Sequence, residues 1–206
     1  NIVIRGLDRT GTVLDGGFVR DNGIKVLADG VAIENMTARN YKNNGFFWTG
    51  VTGYRGSYLN AVRNGDYGIY AFDATRGQFD HDYGAGSPDA GFYIGECFKC
   101  DAVIDTVVSE NNGLGYSGTN SGGDLYIVNS TFRNNRAGIV PNSGSYELCH
   151  PERNTTIVGN PVYSNNNRRW PEIDTGLLDG GSGIRVTGGA RATGEEIRGL
   201  DADRRH

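Results

Sequence analysis

A histidine flanked by two carboxylates is the group in this sequence that is best suited to proton transfer. The stretch reads Asp80-His81-Asp82-Tyr83. An imidazole takes up and releases protons near neutral pH, and a neighbouring carboxylate or phenol can orient it or complete an acid/base pair. We therefore treat His81, Asp82 and Tyr83 as candidate catalytic residues. The competing interpretation is that Asp80 is structural and that His81 is an ordinary surface histidine.

A short cysteine motif follows in Cys97-Phe98-Lys99-Cys100. Two cysteines at this spacing form a short disulfide, remain free thiols, or join Cys149 and His150 in a zinc site. We favour a Cys97–Cys100 disulfide or free thiols over a metal site, and the disulfide would imply an oxidising compartment. Lys99 is a further candidate catalytic residue, because its cation can neutralise the carboxylate of an acidic substrate.

An internal repeat predicts the elements that position these groups. A glycine followed by an apolar residue recurs every 22 to 25 residues, and a second strand-like segment lies between successive copies. The copies are Gly23-Ile24, Gly45-Phe46, Gly68-Ile69, Gly91-Phe92, Gly113-Leu114, Gly138-Ile139 and, two periods later, Gly183-Ile184. Such a period is too short for a βαβ unit, so each strand must pair with its own copy in the adjacent period. The repeat predicts an all-β parallel solenoid.

These repeats, together with the opening IRGLDRTGTVLDGG at 4–17, resemble the right-handed parallel β-helix proteins with pectate-lyase-like folds. The resemblance implies one β-helix domain over 1–206, with lateral insertions near 141–154 and 164–181. Because Asn1 is not an initiator and NIVIRG reads as the middle of a strand, we expect a piece of a longer chain, with a neighbouring domain or protein partner at the open solenoid ends.

The same resemblance sets the expectations for function. It implies a bacterial protein of the cell envelope or a secreted one, whose partner is a polysaccharide or other glycan. Relatives include lyases and epimerases of uronate sugars and glycoside hydrolases, and they also include adhesive and accessory scaffolds without activity. Enzyme and scaffold therefore both stay open. No cofactor is expected from the residues, and Ca²⁺ is suggested by the family alone.

Alternation along each strand predicts an exposed aromatic surface. The apolar residue after each repeat glycine faces the core, so the next residue faces outward. This outer column is predicted to contain Lys25, Phe47, Tyr70, Tyr93, Gly115, Val140 and Arg185. We interpret Phe47, Tyr70 and Tyr93 as substrate-binding residues, because sugar rings pack on exposed aromatic side chains. The alternative is that the stack is covered, or that it stabilises the sheet.

A polar column is predicted at the second strand. Following the resemblance, we interpret it as an asparagine ladder of stacked turns, with the members Asn35, Asn60, Asp80, Asp105 and Asn129. This interpretation gives Asp80 a structural role. It leaves His81 facing solvent, with Asp82 and Tyr83 beside it.

The insertion near 164–181 contains further substrate-binding candidates, Arg168, Arg169 and Trp170. Guanidinium groups bind carboxylates with two hydrogen bonds, and an indole can pack on a sugar ring. The alternative is a loop that covers the lateral surface, with Trp170 as its anchor.

Composition argues against two other classes of partner. The net charge is −4, from 20 basic and 24 acidic residues, and no basic patch with interleaved aromatics occurs, so no nucleic acid is expected. The sequence contains no run of about 18 apolar residues, the length that a membrane-spanning helix needs.

Overall fold

Each repeat contributes one strand to each of three parallel sheets, and every strand pairs with its copy in the adjacent coil. This computed structural model describes residues 1–169 and 181–187 and the backbone of 197–198. Strands are numbered in chain order, and coils are numbered from β1. The predicted parallel β-helix is confirmed.

The strand bounds follow sheet by sheet. Sheet A contains β1 Ile2–Arg5, β4 Val31–Glu34, β7 Arg55–Ser57, β10 Gly77–Asp80, β13 Ala102–Asp105, β16 Gly122–Val128, β19 Arg153–Val158 and β22 Ile197–Arg198. Sheet B contains β2 Val13–Asp15, β5 Thr37–Arg39, β8 Asn60–Val62, β11 Tyr83–Ala85, β14 Val108–Glu110, β17 Thr131–Arg133 and β20 Val162–Tyr163. Sheet C contains β3 Ile24–Val26, β6 Phe46–Thr49, β9 Ile69–Phe72, β12 Ala90–Gly95, β15 Leu114–Thr119, β18 Ala137–Asn142 and β21 Ser182–Ile184.

The inner face of the coils forms one continuous apolar core. Its largest fully buried side chains are Trp48, Tyr116, Phe46, Phe79, Phe92 and Phe132. Phe46, Ile69 and Phe92 follow one another in register along sheet C, as the repeat predicts. Hydrophobic burial along this axis holds the coils together, while the backbone hydrogen bonds run between coils.

One copy of the repeat was misaligned. Phe92 pairs with Tyr116 and not with Leu114, so the repeat glycine of that coil is Gly115 and the outer column continues from Tyr93 to Ser117. The reason is that β12 begins at Ala90, two residues before the residue that pairs with the start of β9, and that β15 begins level with β12 at Leu114. A shift of two residues preserves the alternation of a strand, so alternation cannot detect it.

The five residues of the predicted ladder column lie at three different places in the coil: in sheet A, in sheet B and in the turn between them. Asp80 lies in sheet A and pairs with Ser57 and Asp105. Asn60 instead belongs to β8 in sheet B. The turns from sheet A to sheet B place one residue of each of coils 2 to 7 in the left-handed conformation, with φ between 50° and 69°: Asn35, Tyr58, His81, Thr106, Asn129 and Gly159. His81, and not Asp80, therefore shares a column with Asn35 and Asn129.

A row of hydrogen-bonded asparagines does occur, at the turns from sheet B to sheet C. The backbone N–H of Asn112 donates to Oδ1 of Asn135 at 2.9 Å, and the N–H of Asn135 donates to Oδ1 of Asn165 at 3.1 Å. The side-chain amides repeat the same connections at 3.1 and 3.0 Å. All three side chains are buried, so each amide satisfies backbone groups that the turn would otherwise leave without partners.

Candidate functional site

Three of the four predicted catalytic residues meet in one cleft of about 470 Å³ at the turns from sheet A to sheet B. Its lining consists of Arg9, Thr10, Tyr58, Asn60, His81, Asp82, Tyr83, Thr106 and Val108. One wall is the connection between β1 and β2 at 6–12, whereas the next coil makes the same connection with only residues 35 and 36. The extra length has to leave the solenoid laterally, and it arches over the turns of the following coils.

His81 is held on two sides. Its Nδ1 lies 3.0 Å from Oδ2 of Asp80, and its ring stacks on Tyr58 with the ring centroids 4.6 Å apart. The side chain is 44% exposed. With Nδ1 engaged by a carboxylate, Nε2 is the nitrogen that is left for a substrate. The left-handed backbone of this position projects the ring from the turn into the cleft.

Asp80 is kept ionised by its neighbours. Burial raises the pKa of its carboxyl group, but hydrogen bonds from Arg55, Ser57 and His81 outweigh burial and lower the pKa below its ordinary value. Arg55 Nε lies 3.0 Å from Oδ1, and the Ser57 hydroxyl donates to Oδ2 at 2.7 Å. An ionised Asp80 favours the tautomer of His81 that carries its proton on Nδ1. Asp80 therefore acts as the orienting carboxylate.

Asp82, which the sequence analysis placed beside the outward-facing His81, points inward. Its side chain is buried, and only Oδ1 has a hydrogen-bond partner, the N–H of Leu59 at 2.7 Å. Burial raises the pKa of Asp82 well above its usual range; the bond from Leu59 opposes this rise, and the negative charge of Asp80 adds to it. The protonated acid is therefore the favoured form.

Arg9 was missed in the sequence. Its Nη2 donates to the carbonyl oxygen of Leu59 at 2.6 Å, and its own carbonyl accepts a hydrogen bond from the Thr37 hydroxyl at 2.7 Å. Burial lowers the pKa of its guanidinium, but the group stays protonated at neutral pH. The sequence signal that could have identified Arg9 is the length of the connection at 6–12. This connection is longer than the corresponding turn of every later coil up to the one between β19 and β20.

Tyr83 belongs to the cleft, whereas Lys99 does not. The Tyr83 hydroxyl donates to Glu110 at 2.7 Å, and burial together with this bond raises its pKa to about 12. Lys99 instead lies at the turn from sheet C to sheet A, where Nζ contacts Asp124 at 3.2 Å. The width of sheet A, about 13 Å for a four-residue strand, separates this turn from the cleft.

The aromatic column on sheet C is real, but its ring faces are occupied. Tyr70 stacks on Phe47 at 4.6 Å and on Tyr67 at 4.3 Å, and Lys25 Nζ lies 5.1 Å from the ring centre of Phe47. Tyr93 packs edge-on against Tyr70 and is only 4% exposed. Rings that stack on one another show their edges to solvent. This geometry favours the alternative in which the column stabilises the sheet.

The insertion at 141–154 closes one end of this column. Burial, a hydrogen bond to the Glu147 carboxyl and the charge of Glu147 raise the pKa of Glu96 to about 8. The Tyr93 hydroxyl lies 3.5 Å from Oε1 of Glu96, a long contact. The raised pKa favours a protonated Glu96 next to the carboxyl of Glu147, which belongs to the insertion. Glu147 had no predicted role, although it lies in a loop that the sequence marked as extra length.

The cysteines and the second insertion complete the predicted set. Cys97 and Cys100 are joined by a disulfide, and Cys149 is free and exposed. Across the described ranges, no group of three or more His, Cys, Asp or Glu side chains could hold a metal ion, so the zinc set is not formed. Arg168 and Arg169 are exposed. Trp170 lies outside the described residues.

No helix among the described residues is long and apolar enough to cross a membrane.

Comparisons with known proteins identify the fold. No protein-family model matches the sequence, and no curated protein matches it. Among solved structures, the A-module of the mannuronan C-5 epimerase AlgE4 from Azotobacter vinelandii superimposes with a TM-score of 0.66 at 15% sequence identity. The match covers 89% of this chain and 57% of that one. The chain is thus a right-handed parallel β-helix.

Proposed function

We propose that this β-helix binds an acidic polysaccharide in the His81 cleft and modifies it by proton transfer at the carbon next to a uronate carboxylate. The observation that carries the proposal is a histidine whose Nδ1 is bound by an ionised Asp80, in an open cleft that also contains Arg9. This arrangement supplies a base and a cation, the two groups that such a reaction needs first.

In the proposed mechanism, Nε2 of His81 removes the proton from C5 of the sugar. The electrons of the C–H bond move into the carboxylate, and the positive charge of Arg9 stabilises the resulting enolate. If Tyr83 or water delivers a proton to the opposite face of C5 and His81 releases its own proton to solvent, the sugar is epimerised. If the bond between C4 and its glycosidic oxygen breaks instead, a C4=C5 double bond forms and the leaving oxygen takes a proton. Tyr83 is the proposed donor for that step, and its hydroxyl would exchange its hydrogen bond to Glu110 for one to the leaving oxygen.

Two further observations support the choice of substrate and compartment. A solved structure of the same fold is named as a mannuronan epimerase module, which makes uronate polymers the first substrates to test. The Cys97–Cys100 disulfide agrees with an oxidising compartment, and we propose that the protein works in the cell envelope or is secreted.

The test is a panel of uronate and neutral polysaccharides, with and without Ca²⁺. Elimination gives an unsaturated product that absorbs in the ultraviolet, and epimerisation exchanges the C5 proton for deuterium in D₂O. We expect activity on uronate polymers and a loss of about 100-fold or more in His81→Asn. Asparagine is the suitable replacement because His81 has φ 57°, and Asn35 and Asn129 occupy the same column.

The matched control is Asn129→Gly, which changes the same column two coils away and should leave activity unchanged. Full activity in His81→Asn would overturn the proposed role of His81.

A non-catalytic scaffold is the second candidate, and one observation favours it. Asp80 also belongs to an ionic row across sheet A, where Arg55 lies between Asp80 and Glu34, and Arg5 lies 2.6 Å from Glu34. This row links four successive coils, a purely structural use of the same carboxylate. Retardation in polysaccharide affinity gels without turnover of any substrate would support this candidate.

A further inference from the structure

Two buried polar atoms of the cleft, Nε of Arg9 and Oδ2 of Asp82, lack hydrogen-bond partners among the residues that the structure describes. Both side chains are fixed on the backbone of the same residue, because Arg9 Nη2 donates to the Leu59 carbonyl and Asp82 Oδ1 accepts from the Leu59 N–H. They therefore lie close together although they come from coils 1 and 4. A buried polar atom without a partner costs about 1–3 kcal/mol. A ligand that supplied both partners would recover that cost.

Both atoms are hydrogen-bond donors when Asp82 is protonated. Arg9 Nε always carries a hydrogen. Oδ1 of Asp82 already accepts the bond from Leu59, so the acid proton belongs on Oδ2. The charged and titratable groups that face Asp82 are Arg9 on the arching turn, Asp80 and His81 on its own turn, and Arg55 and Tyr58 on the preceding coil. Burial and Asp80 favour the proton, whereas the two arginines oppose it.

We infer that Arg9 and Asp82 form a recognition site for the carboxylate of an acidic sugar, in which Arg9 Nε–H and Asp82 Oδ2–H donate to the two carboxylate oxygens. This inference rests on the proposed function for the location of the site, but it concerns binding and not turnover. A carboxylate fits better than a neutral hydroxyl group because it also supplies a counter-charge. Arg9 makes no salt bridge with any residue that the structure describes.

The site predicts an unusual pH dependence. An arginine alone binds a carboxylate equally well across the neutral range, since neither group titrates there. Here the second donor disappears when Asp82 ionises, and a negative charge takes its place. Affinity for a uronate should therefore fall as pH rises through the pKa of Asp82, by up to about tenfold per pH unit above it.

The experiment titrates the whole chain with uronate trisaccharides and with neutral trisaccharides of the same linkage, by calorimetry from pH 5 to pH 9. Asp82→Asn keeps a neutral donor in place of the acid, so it should bind the uronate within about threefold of the wild-type affinity at pH 5 and lose the decline toward pH 9. Arg9→Lys keeps the charge but removes Nε–H, and it should bind about tenfold more weakly at every pH. His81→Asn separates the titration of the imidazole from that of Asp82.

Three outcomes would overturn the inference: the same pH decline in Asp82→Asn as in wild type, equal affinity for neutral and acidic trisaccharides, or unchanged binding in Arg9→Lys. Thermal unfolding of each variant shows whether it is folded. If the chain binds uronates in the expected pattern but turns over no polysaccharide, the proposed function fails and this inference stands. If the chain turns over uronates while Arg9 and Asp82 variants bind like wild type, the proposed function stands and this inference fails.

Discussion

The aromatic column on sheet C and the His81 cleft both present rings on the outside of the solenoid, but they differ in what is left for a ligand. In the column, Phe47, Tyr70 and Tyr67 use their faces on one another. In the cleft, Tyr58 and His81 stack as one pair, and beside them Arg9 and Asp82 keep polar atoms without partners. A regular sheet thus satisfies its own side chains coil by coil, whereas a turn of unequal length leaves some of them unsatisfied.

The same contrast applies to the buried acids. The Glu96 carboxyl faces the Glu147 carboxyl, which can accept the Glu96 proton in a hydrogen bond inside the protein. Asp82 has one oxygen bound by a backbone N–H and one without a partner. A raised pKa of a buried acid therefore indicates a binding function only where no protein group accepts a hydrogen bond from the protonated acid.

Removal of Tyr70 should have the largest effect on stability and none on uronate binding. Tyr70→Ala deletes the ring between Phe47 and Tyr67, and we expect a loss of about 2–4 kcal/mol in the free energy of unfolding. Tyr126→Ala, at an exposed position on sheet A, should cost less than about 1 kcal/mol. Denaturant unfolding and affinity gels measure both quantities. Loss of polysaccharide binding in folded Tyr70→Ala would restore the column as a binding surface.

Neutralising Glu96 should change the pH dependence of stability. The pKa of Glu96 is about 8 in the folded protein and near its ordinary 4.5 when unfolded, so the folded state holds the proton over that window. Stability should therefore fall as pH rises from about 4.5 to about 8, by up to about 1.4 kcal/mol per pH unit. Glu96→Gln should flatten this decline in urea titrations at pH 5, 6.5 and 8. An unchanged slope would contradict a raised pKa of Glu96 in the folded protein.

Removing the disulfide should lower the stability of the protein but leave uronate binding in the cleft unchanged. Cys97 and Cys100 close a very short loop just after Glu96, and the chain-entropy relation gives about 2 kcal/mol for such a loop. Replacing both cysteines by alanine should lower the free energy of unfolding by that amount or less. Uronate binding in the cleft should stay the same, and weaker binding would show that the two regions are coupled.

Replacing Lys99 should have the smallest effect. Its partner Asp124 is exposed, and surface ion pairs contribute about 0–1 kcal/mol. Lys99→Ala should therefore leave stability nearly unchanged, and activity and uronate affinity should match the wild type. A drop in turnover would show that the turn from sheet C to sheet A takes part in the reaction.

The fold was predictable because the core column repeats at every coil, and a repeated signal tolerates one misaligned copy such as Gly113-Leu114. The polar columns were not predictable to the same degree. Asp80 follows Asn60 by roughly one repeat, but Asp80 pairs with Ser57 in sheet A whereas Asn60 begins β8 in sheet B. His81, Asp82 and Tyr83 could be placed together since they are consecutive. Arg9 could not, because its contact spans 50 residues and depends on the path of one long turn.

The long turn at 6–12 also bears on how the solenoid opens. In a solenoid each coil normally contacts only its neighbours, so stability propagates one coil at a time. Arg9 passes coil 2, holding it through Thr37, and binds Leu59 on coil 3. This contact couples next-nearest coils, and hydrogen exchange of the first three coils should therefore be concerted and not stepwise. A ligand held between Arg9 and Asp82 would extend that cooperative unit to coil 4, and bound substrate would then act as a strap across the helix.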